Sequence, residues 1–279
     1  MSVASQTSVG SVDLVDAWVA VQRQPLSQAL LGASLRDVFR SPAPRPQAGA
    51  GGSAAHLVDD LIRLALHHQA VQHPYLHALG SGNLPDLSFA LHDFARHYSG
   101  YVNHMVRFQV ALMGRLRDPA HRAALLQASL AGAPPQALFR PFRQALGLAD
   151  EFGDAGDFPA IEVVCWREQQ LSLLQSGSVA EAVGALLLGS EAIQSTIAQP
   201  FLEATDRLGL APHAVAFFAL PASSGDTLPA LLRPIILDFA RTAQGRIALV
   251  KGMHKALALR AAFWAWLHQR ALSLSAMQA

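Results

Sequence analysis

Apolar residues recur with helical spacing through almost the whole chain. Between residues 55 and 274, apolar side chains recur every three or four positions, as they do on one face of an α-helix. The alternation typical of a β-strand appears nowhere, and neither Asn-Gly nor Asp-Gly hairpin turns occur. No internal repeat of about 20–50 residues is present. The sequence therefore predicts an all-α fold.

Proline, glycine and capping residues divide this pattern into separate helices. Asp118 followed by Pro119 is typical of a helix start, and Gly147 and Gly209 are typical of helix ends. Pro221 is predicted to stop a short helix. The predicted helices, in chain order, are Ala55–Ala78, Pro85–Arg117, one that begins at Asp118-Pro119, Gln136–Leu146, Ala160–Gln175, Val179–Leu208, Pro212–Leu220 and Leu228–Leu274.

A segment rich in proline and glycine separates the first 40 residues from this helical body. Residues 41–54, SPAPRPQAGAGGSA, contain three prolines and three glycines without apolar periodicity, which predicts a flexible linker. Residues 1–40 are predicted to form an N-terminal helical segment, in which Leu14, Trp18 and Val21 share one face. Such a segment cannot bury its apolar face alone. We therefore expect it to dock on the main domain, residues 55–279, or on another subunit or protein partner.

Composition narrows the classes of function. The formal net charge is +1, so no overall field favours nucleic acid or an anionic membrane. Charged residues make up 15% and hydrophobic residues 51%, which predicts large buried faces in one helical core or in a dimer interface. The 21 basic residues include only two lysines, Lys251 and Lys255, and alanine is abundant, a bias typical of a GC-rich bacterial genome.

Targeting signals and cysteine usage indicate a compartment. Cys165 is the single cysteine, so no intrachain disulfide can form, as expected in a reducing cytosol. Residues 1–10 are polar and are followed by no apolar stretch of a secretory signal. No run of about 18 apolar residues is present. We therefore expect a cytoplasmic protein with no membrane span and no nucleic-acid partner.

Six segments, taken in order, resemble those of the heme-oxygenase-like superfamily. They are HPYLHALGSGNL at 73–84, FARHYSGYVNHM at 94–105 with RDPAHRAALL following at 117–126, ALFRPFRQALGL at 137–148, LLLGSEAIQSTIAQPFLEA at 186–204, AFFALPASSGD at 216–226 and ALALRAAFWAWL at 256–267. This superfamily includes thiaminase II, pyrroloquinoline-quinone synthase and the iron-containing redox enzymes, also called heme-oxygenase-like diiron oxidases. The resemblance covers residues 55–270 and implies a helical bundle with a central pocket.

The resemblance also implies where metal ligands belong. In the diiron members, carboxylates and histidines from several helices hold two irons, because oxygen activation needs hard carboxylates to bridge the metals and imidazoles to tune them. The first ligand helix of the family carries a carboxylate and, one turn later, a histidine. Here His97 and Tyr101 occupy these positions. A shifted register would instead use His97 and His104, which are seven residues apart and share a helix face.

Most of the remaining ligand positions hold residues without donor side chains. Glu191 matches the family glutamate. Pro221 and Leu228 stand where two histidines belong, and Gly225 stands at an aspartate position, with Asp226 beside it. The resemblance therefore implies a degenerate metal site, with iron or no cofactor, whose candidate donors are Glu191, His97, His104 and Asp226.

Other candidate residues have simpler roles. The apolar residues around Glu191 predict that it faces the interior, where a carboxylate needs a partner such as His97, Tyr101 or an arginine. Four arginines are either helix-surface residues or candidates for recognising a carboxylate substrate: Arg96, Arg107, Arg140 and Arg143. Cys165 is expected to be an inert core thiol, because no activating base lies near it in the sequence.

Three functions follow from this sequence. The first is a divergent relative of the iron-containing redox enzymes that binds a small organic molecule in the central pocket and acts in specialised-metabolite biosynthesis. Its candidate catalytic residues are His97, Tyr101 and Glu191. The second is a non-catalytic homologue that binds a ligand or stabilises a partner protein. The third is a metal-free oxidase that uses the same pocket. A homodimer is expected from the superfamily and from the apolar content.

Overall fold

The computed structural model describes residues 54–130, 132–148, 160–223 and 229–278, with side chains described as far as residue 273. The predicted N-terminal segment at 1–40 lies outside these residues. So does the predicted linker at 41–54, except for Ala54, which begins the first described helix. Asp226, one of the candidate metal ligands, also lies outside the described residues.

Every regular element in the described part of the chain is helical, which confirms the predicted all-α fold. The α-helices are α1 (Ala54–Leu66), α2 (Pro74–Ser81), α3 (Leu87–Val102), α4 (Met105–Met113), α5 (Pro119–Leu130), α6 (Pro135–Ala145), α7 (Ile161–Ser176), α8 (Val179–Val183), α9 (Gln194–Arg207), α10 (Ala216–Ser223), α11 (Arg233–Ala240) and α12 (Ala243–Gln278). A π-helical turn lies at Gly184–Leu188, and 3₁₀ turns lie at Glu191–Ile193, Pro212–Val215 and Ala230–Leu232. None of the described helices combines the length and the apolar character needed to cross a membrane.

The prediction of one continuous helix over Ala55–Ala78 is wrong, because the structure has two helices there, α1 and α2. His73 lies between them in an extended conformation, with φ −76° and ψ 137°. A residue before proline is driven out of the helical region by the proline ring, and Pro74 follows directly. The His73 Nδ1 then accepts a hydrogen bond from the Tyr75 backbone N–H at 3.1 Å, which caps α2.

The predicted long helix Pro85–Arg117 is likewise two helices, α3 and α4, separated by Asn103 and His104. The His104 backbone N–H donates to the Tyr101 carbonyl at 2.9 Å, which tightens the chain into a three-residue turn. The His104 ring nitrogen Nδ1 lies 3.0 Å from the Gly100 carbonyl oxygen, the acceptor that its own backbone would use in a continuous α-helix. The break removes the shared helix face on which a His97 and His104 pair was predicted.

The predicted helix Val179–Leu208 begins as expected, with the Ser178 hydroxyl accepting from the Glu181 backbone N–H at 3.1 Å. It does not run continuously to Leu208. After α8 the chain forms the π-helical turn, bends at Gly189 and Ser190, and resumes through a 3₁₀ turn into α9. The bend lies directly before Glu191, so this carboxylate sits at an irregular point of the backbone rather than on a regular helix face.

Two further boundaries differ from the prediction. Pro221 does not stop its helix, because α10 continues for two residues beyond it to Ser223. The last predicted helix, Leu228–Leu274, is divided by a turn at Arg241 and Thr242, so that α11 and α12 are separate.

The core is organised around α12, which packs against α2, α3, α7, α8 and the π-helical turn. Trp264 lies at its centre, almost fully buried, and its indole N–H donates to the Ala70 carbonyl at 3.0 Å. Phe94 on α3 packs at 4.3 Å between ring centres against Phe201 on α9. Large aromatic rings therefore tie α3, α9 and α12 into one core.

Candidate ligand-binding site

Arg260 on α12 is the most unusual residue of the core, because its charged side chain is only 1% exposed. Its Nη2 lies 3.5 Å from the Tyr101 hydroxyl oxygen, a long contact for a hydrogen bond. The guanidinium carbon lies 5.6 Å from the centre of the Tyr101 ring and 5.4 Å from that of the Trp166 ring. Arg260 is therefore surrounded mainly by aromatic faces, which attract a cation through their ring electrons.

Two tyrosines of α3 form the wall beside this arginine. Tyr101 stacks on Trp166 of α7, with ring centres 4.0 Å apart and planes inclined by 12°. Burial raises the pKa of Tyr101 to about 12, although the Arg260 charge acts in the opposite direction. Burial also raises the pKa of Tyr98, again opposed by Arg260. Both phenols are therefore protonated at neutral pH and can serve as hydrogen-bond donors.

Glu191 faces the same cluster from the 3₁₀ turn after the π-helical turn. Its side chain keeps some accessible surface, yet burial is the largest influence on its carboxyl and raises its pKa, opposed by Arg260 and by Gln109. π-Helical turns are frequent at functional sites, and this one places Glu191 towards the centre of the bundle.

Glu191 and Arg260 influence each other but do not form an ion pair. Each charge affects the pKa of the other group, whereas their nitrogen and oxygen atoms are more than 4.0 Å apart. The site therefore holds a carboxyl group and a guanidinium that are buried close to each other without being paired. Helices α3, α7 and α12 and the turn at Glu191 each contribute to it.

His97 belongs to a different cluster. Its Nε2 lies 3.3 Å from the Asp93 carboxylate one turn earlier on α3, and its ring packs edge-on against Trp266 at 4.8 Å. Arg270 completes this cluster by pairing with Asp93. His97 and Tyr101 are thus one helical turn apart but contact different partners.

His104 lies in the turn between α3 and α4, where it is partly buried. Burial and the neighbouring Arg167 lower its pKa, and a hydrogen bond to the Gly100 carbonyl opposes them. Its neighbours are therefore distinct from those of both His97 and Glu191.

The structure does not bring the candidate metal ligands His97, His104 and Glu191 together. Within residues 54–130, 132–148, 160–223 and 229–273, no three His, Cys, Asp or Glu side chains are grouped closely enough to hold a metal ion. Asp226 lies outside the described residues. The polar groups of the central cluster are two phenols, the Glu191 carboxyl, the Gln109 amide and the Arg260 guanidinium, which cannot ligate a metal. The described residues therefore do not fit a diiron centre.

Three residues of this cluster, Arg260, Tyr98 and Gln109, were not among the site residues predicted from the sequence. One signal was available for Arg260, since it is the lone charge in the apolar run ALALRAAFWAWL at 256–267. The arginines that were singled out lie elsewhere: Arg107 and Arg140 are exposed, and the buried Arg143 donates to the Ser99 hydroxyl. Cys165 is partly buried, and burial raises the pKa of its thiol, which is typical of an unreactive side chain.

Solved structures share this arrangement of helices. A TenA homologue from Pseudomonas syringae superposes with a TM-score of 0.63 at 14% identity over 77% of this chain and 92% of that chain. A domain of unknown function with a heme oxygenase-like fold, from Shewanella denitrificans, gives a TM-score of 0.64 at 12% identity over 82% of this chain and 97% of that chain. The chain has the heme-oxygenase-like fold.

A third structure with this fold is a CADD-like protein of unknown function from Nostoc punctiforme. Its TM-score is 0.61 at 17% identity, covering 78% of this chain and 98% of that chain. No family model and no curated protein matches the sequence. At these identities the likeness establishes the heme-oxygenase-like fold, and the function must be argued from the residues of the site.

Proposed function

We propose that this chain is a divergent relative of the TenA-like and iron-containing redox proteins that binds a small organic molecule among Tyr98, Tyr101, Glu191 and Arg260. We further propose that it acts in specialised-metabolite biosynthesis and that its metal site is degenerate. The observation that carries the proposal is that two buried charged groups, Glu191 and Arg260, influence each other without forming an ion pair and lie beside two buried phenols. Convergent polar groups with a shifted pKa in an apolar setting are typical of a ligand site.

Each polar group has a role that its surroundings support. Glu191 has a raised pKa, so it can exchange a proton with a bound molecule more readily near neutral pH than an exposed glutamate. Tyr98 and Tyr101 remain protonated and donate hydrogen bonds. Trp166 stacks on both Tyr101 and Phe263, which hold its ring in place beside Arg260. These groups bind and orient a molecule and move one proton without a metal.

A non-catalytic homologue is the second candidate, and one observation favours it. Pro221, which stands where the family has a histidine, lies inside α10 and offers no donor side chain. Such a protein would bind a ligand or stabilise a partner through the same fold. Replacing both Glu191 and His97 separates the two classes, because an enzyme loses its biological role after both changes and a scaffold keeps it.

Ligand retention tests the proposed function. The purified protein is mixed with a low-mass metabolite extract, separated from unbound compounds by gel filtration, denatured and analysed by mass spectrometry. Near-stoichiometric retention of one organic compound by the wild type, with at least about tenfold less retained by Glu191→Gln, is expected. Glu168→Gln, which changes an exposed glutamate of α7, is the matched control and is expected to retain the compound. Equal retention by all three proteins would place the ligand elsewhere and contradict the proposal.

A further inference from the structure

The two buried arginines of α12 differ in whether their guanidinium groups are paired with a carboxylate. Arg270 is 3% exposed and makes two hydrogen bonds of 2.7 Å to the Asp93 carboxylate. Arg260 is 1% exposed and has no carboxylate partner within 4.0 Å among the described residues. The Asp93 carboxylate thus neutralises the buried guanidinium of Arg270, whereas no carboxylate of the described residues neutralises that of Arg260.

One nitrogen of Arg260 is left without a partner. Its Nη1 is buried and makes no hydrogen bond with any described residue. The guanidinium otherwise interacts only weakly, with two phenols: Nη2 lies 3.5 Å from the Tyr101 hydroxyl, and the Tyr98 hydroxyl also interacts with it. Burying an unpaired charge or donor is costly, and a native protein tolerates this mainly where function requires it. The aromatic faces of Tyr101 and Trp166 offset part of the cost.

The missing partner has a definite chemistry. A guanidinium presents parallel N–H groups in a rigid fork that matches the two oxygens of a carboxylate. Glu191 cannot supply them, because it lies beyond ion-pair distance and its carboxyl is also held by Gln109. We propose that Arg260 is the anchor for the carboxylate of a bound molecule, so that this site takes small organic carboxylates. This inference rests on the proposed function, of which it names the ligand class.

The orientation of the ligand follows from the same geometry. With its carboxylate on Arg260, the molecule lies beside the Tyr101 and Trp166 rings, and the rest of its body extends towards Glu191. Glu191 then meets an N–H or O–H group of the ligand. The site therefore selects carboxylates that carry a hydrogen-bond donor at some distance from the acid group.

The first test compares small carboxylates with an uncharged analogue. Sodium formate and sodium acetate are added at fixed ionic strength against sodium chloride, with acetamide as the neutral match, and the unfolding temperature is measured. A ligand that binds the folded state alone raises this temperature. The wild type is expected to gain at least about 2 °C with the carboxylates and nothing with acetamide. No gain, or an equal gain with acetamide, overturns the inference.

Variants of Arg260 test whether the carboxylate-specific rise in unfolding temperature depends on its guanidinium. Arg260→Met is expected to lose the carboxylate-specific gain, and Arg260→Lys to keep only part of it, since an ammonium lacks the planar fork. Arg241→Met is the control, because the Arg241 side chain is 75% exposed in the turn before α12. A gain that survives in Arg260→Met overturns the inference.

A second measurement needs no ligand. Without added carboxylate, Arg260→Met is expected to unfold within about 2 °C of the wild type or above it, because an unpaired buried charge has been removed. Arg270→Met, which strands Asp93, is expected to lose far more. An equal loss in the two variants would make Arg260 structural and overturn the inference. Retention of an organic compound that lacks a carboxylate would overturn this inference alone and leave the proposed function standing.

Discussion

Arg270 and Asp93 form a buried, two-pronged ion pair between α12 and α3. The Nε and Nη2 atoms of Arg270 each lie 2.7 Å from a different oxygen of the Asp93 carboxylate. Both side chains are almost fully buried, and His97 and Trp266 pack around them. The pair joins residues 177 positions apart and so fixes the end of the chain against the third helix.

Breaking this pair on one side is expected to be strongly destabilising. Asp93→Asn or Arg270→Met leaves the other charge buried without its partner and should lower the free energy of unfolding by about 3–5 kcal/mol. The double variant Asp93→Leu with Arg270→Met should recover a large part of that loss. Denaturant unfolding of the four proteins measures this cycle. If the double variant lost as much free energy of unfolding as the two single variants together, the prediction that the two charges depend on each other would be wrong.

The same pair predicts a loss of stability in acid. Burial alone would raise the pKa of Asp93, but His97 and Arg270 outweigh it and hold this pKa well below its usual range. A depressed carboxyl pKa contributes stability that is present above about pH 4 and is lost as the pH falls through lower values. Between about pH 5 and pH 2, the free energy of unfolding should therefore fall more steeply with decreasing pH for the wild type than for Asp93→Asn. Parallel curves would contradict this linkage.

Two histidine pairs predict a separate loss at milder pH. The His68 and His254 rings lie 5.5 Å apart, and the His73 and His268 rings 6.3 Å apart. Burial, together with the partner histidine, lowers the pKa of His68 and of His73 to about 4. These residues stay neutral in the folded state while the unfolded chain takes up protons, so stability should decline from about pH 6.5 towards about pH 4.

Replacing the partners on α12 tests this decline. His254→Gln combined with His268→Gln should make the free energy of unfolding less dependent on pH over that interval. His213→Gln changes an exposed histidine and is the control. An unchanged slope in the double variant would show that the pairs do not control acid stability.

Two glycines set the distance between α8, the π-helical turn and α12. A Cβ added at Gly184 would collide with the Leu249 backbone, and one added at Gly252 would collide with the Glu181 carbonyl oxygen. Gly184→Ala and Gly252→Ala should each cost about 3 kcal/mol or more. Gly132→Ala, where a Cβ meets nothing within 4 Å, should be nearly neutral. Gly252→Ala is the sharper test of this close packing. At a helix position with free space, the same change would raise the free energy of unfolding by about 1 kcal/mol.

Iron content tests the degenerate metal site. After anaerobic reconstitution with Fe(II) and removal of loose ion, the wild type should retain well below one equivalent, and Glu191→Ala should not differ from it. The reason is that His97 and His104 lie away from Glu191 and face other partners. Near-stoichiometric iron that disappears in Glu191→Ala would restore the iron-dependent oxidase and make Glu191 a ligand.

The fold was predictable because helical signals are local. Gly147 and Gly209, both predicted helix ends, adopt the left-handed conformation that glycine alone enters without strain. The helix break at His104 was not predictable, because no proline or glycine marks Asn103 or His104, and a ring-to-carbonyl contact produces the turn. The π-helical turn likewise depends on how closely α12 approaches Gly184.

The candidate site was only partly predictable. Tyr101 and Glu191 were identified through a family resemblance, and the structure places both beside Arg260. Arg260 itself was missed because the sequence does not show which face of a long apolar helix turns inwards. Its contacts with α3 and α7 are tertiary contacts with residues that are 90 or more positions away in the sequence.

The tyrosines allow the most direct measurement of ligand binding. The chain has three, Tyr75, Tyr98 and Tyr101, of which two line the proposed site, while Tyr75 packs elsewhere with its hydroxyl donating to the Ala90 carbonyl. Ring-labelled tyrosine in the full chain gives three NMR signals, assigned by single Tyr→Phe variants, and the compound retained from the metabolite extract is titrated in. We expect the Tyr98 and Tyr101 signals to shift together and saturate while the Tyr75 signal stays in place. Saturable binding that leaves both Tyr98 and Tyr101 unmoved would contradict it.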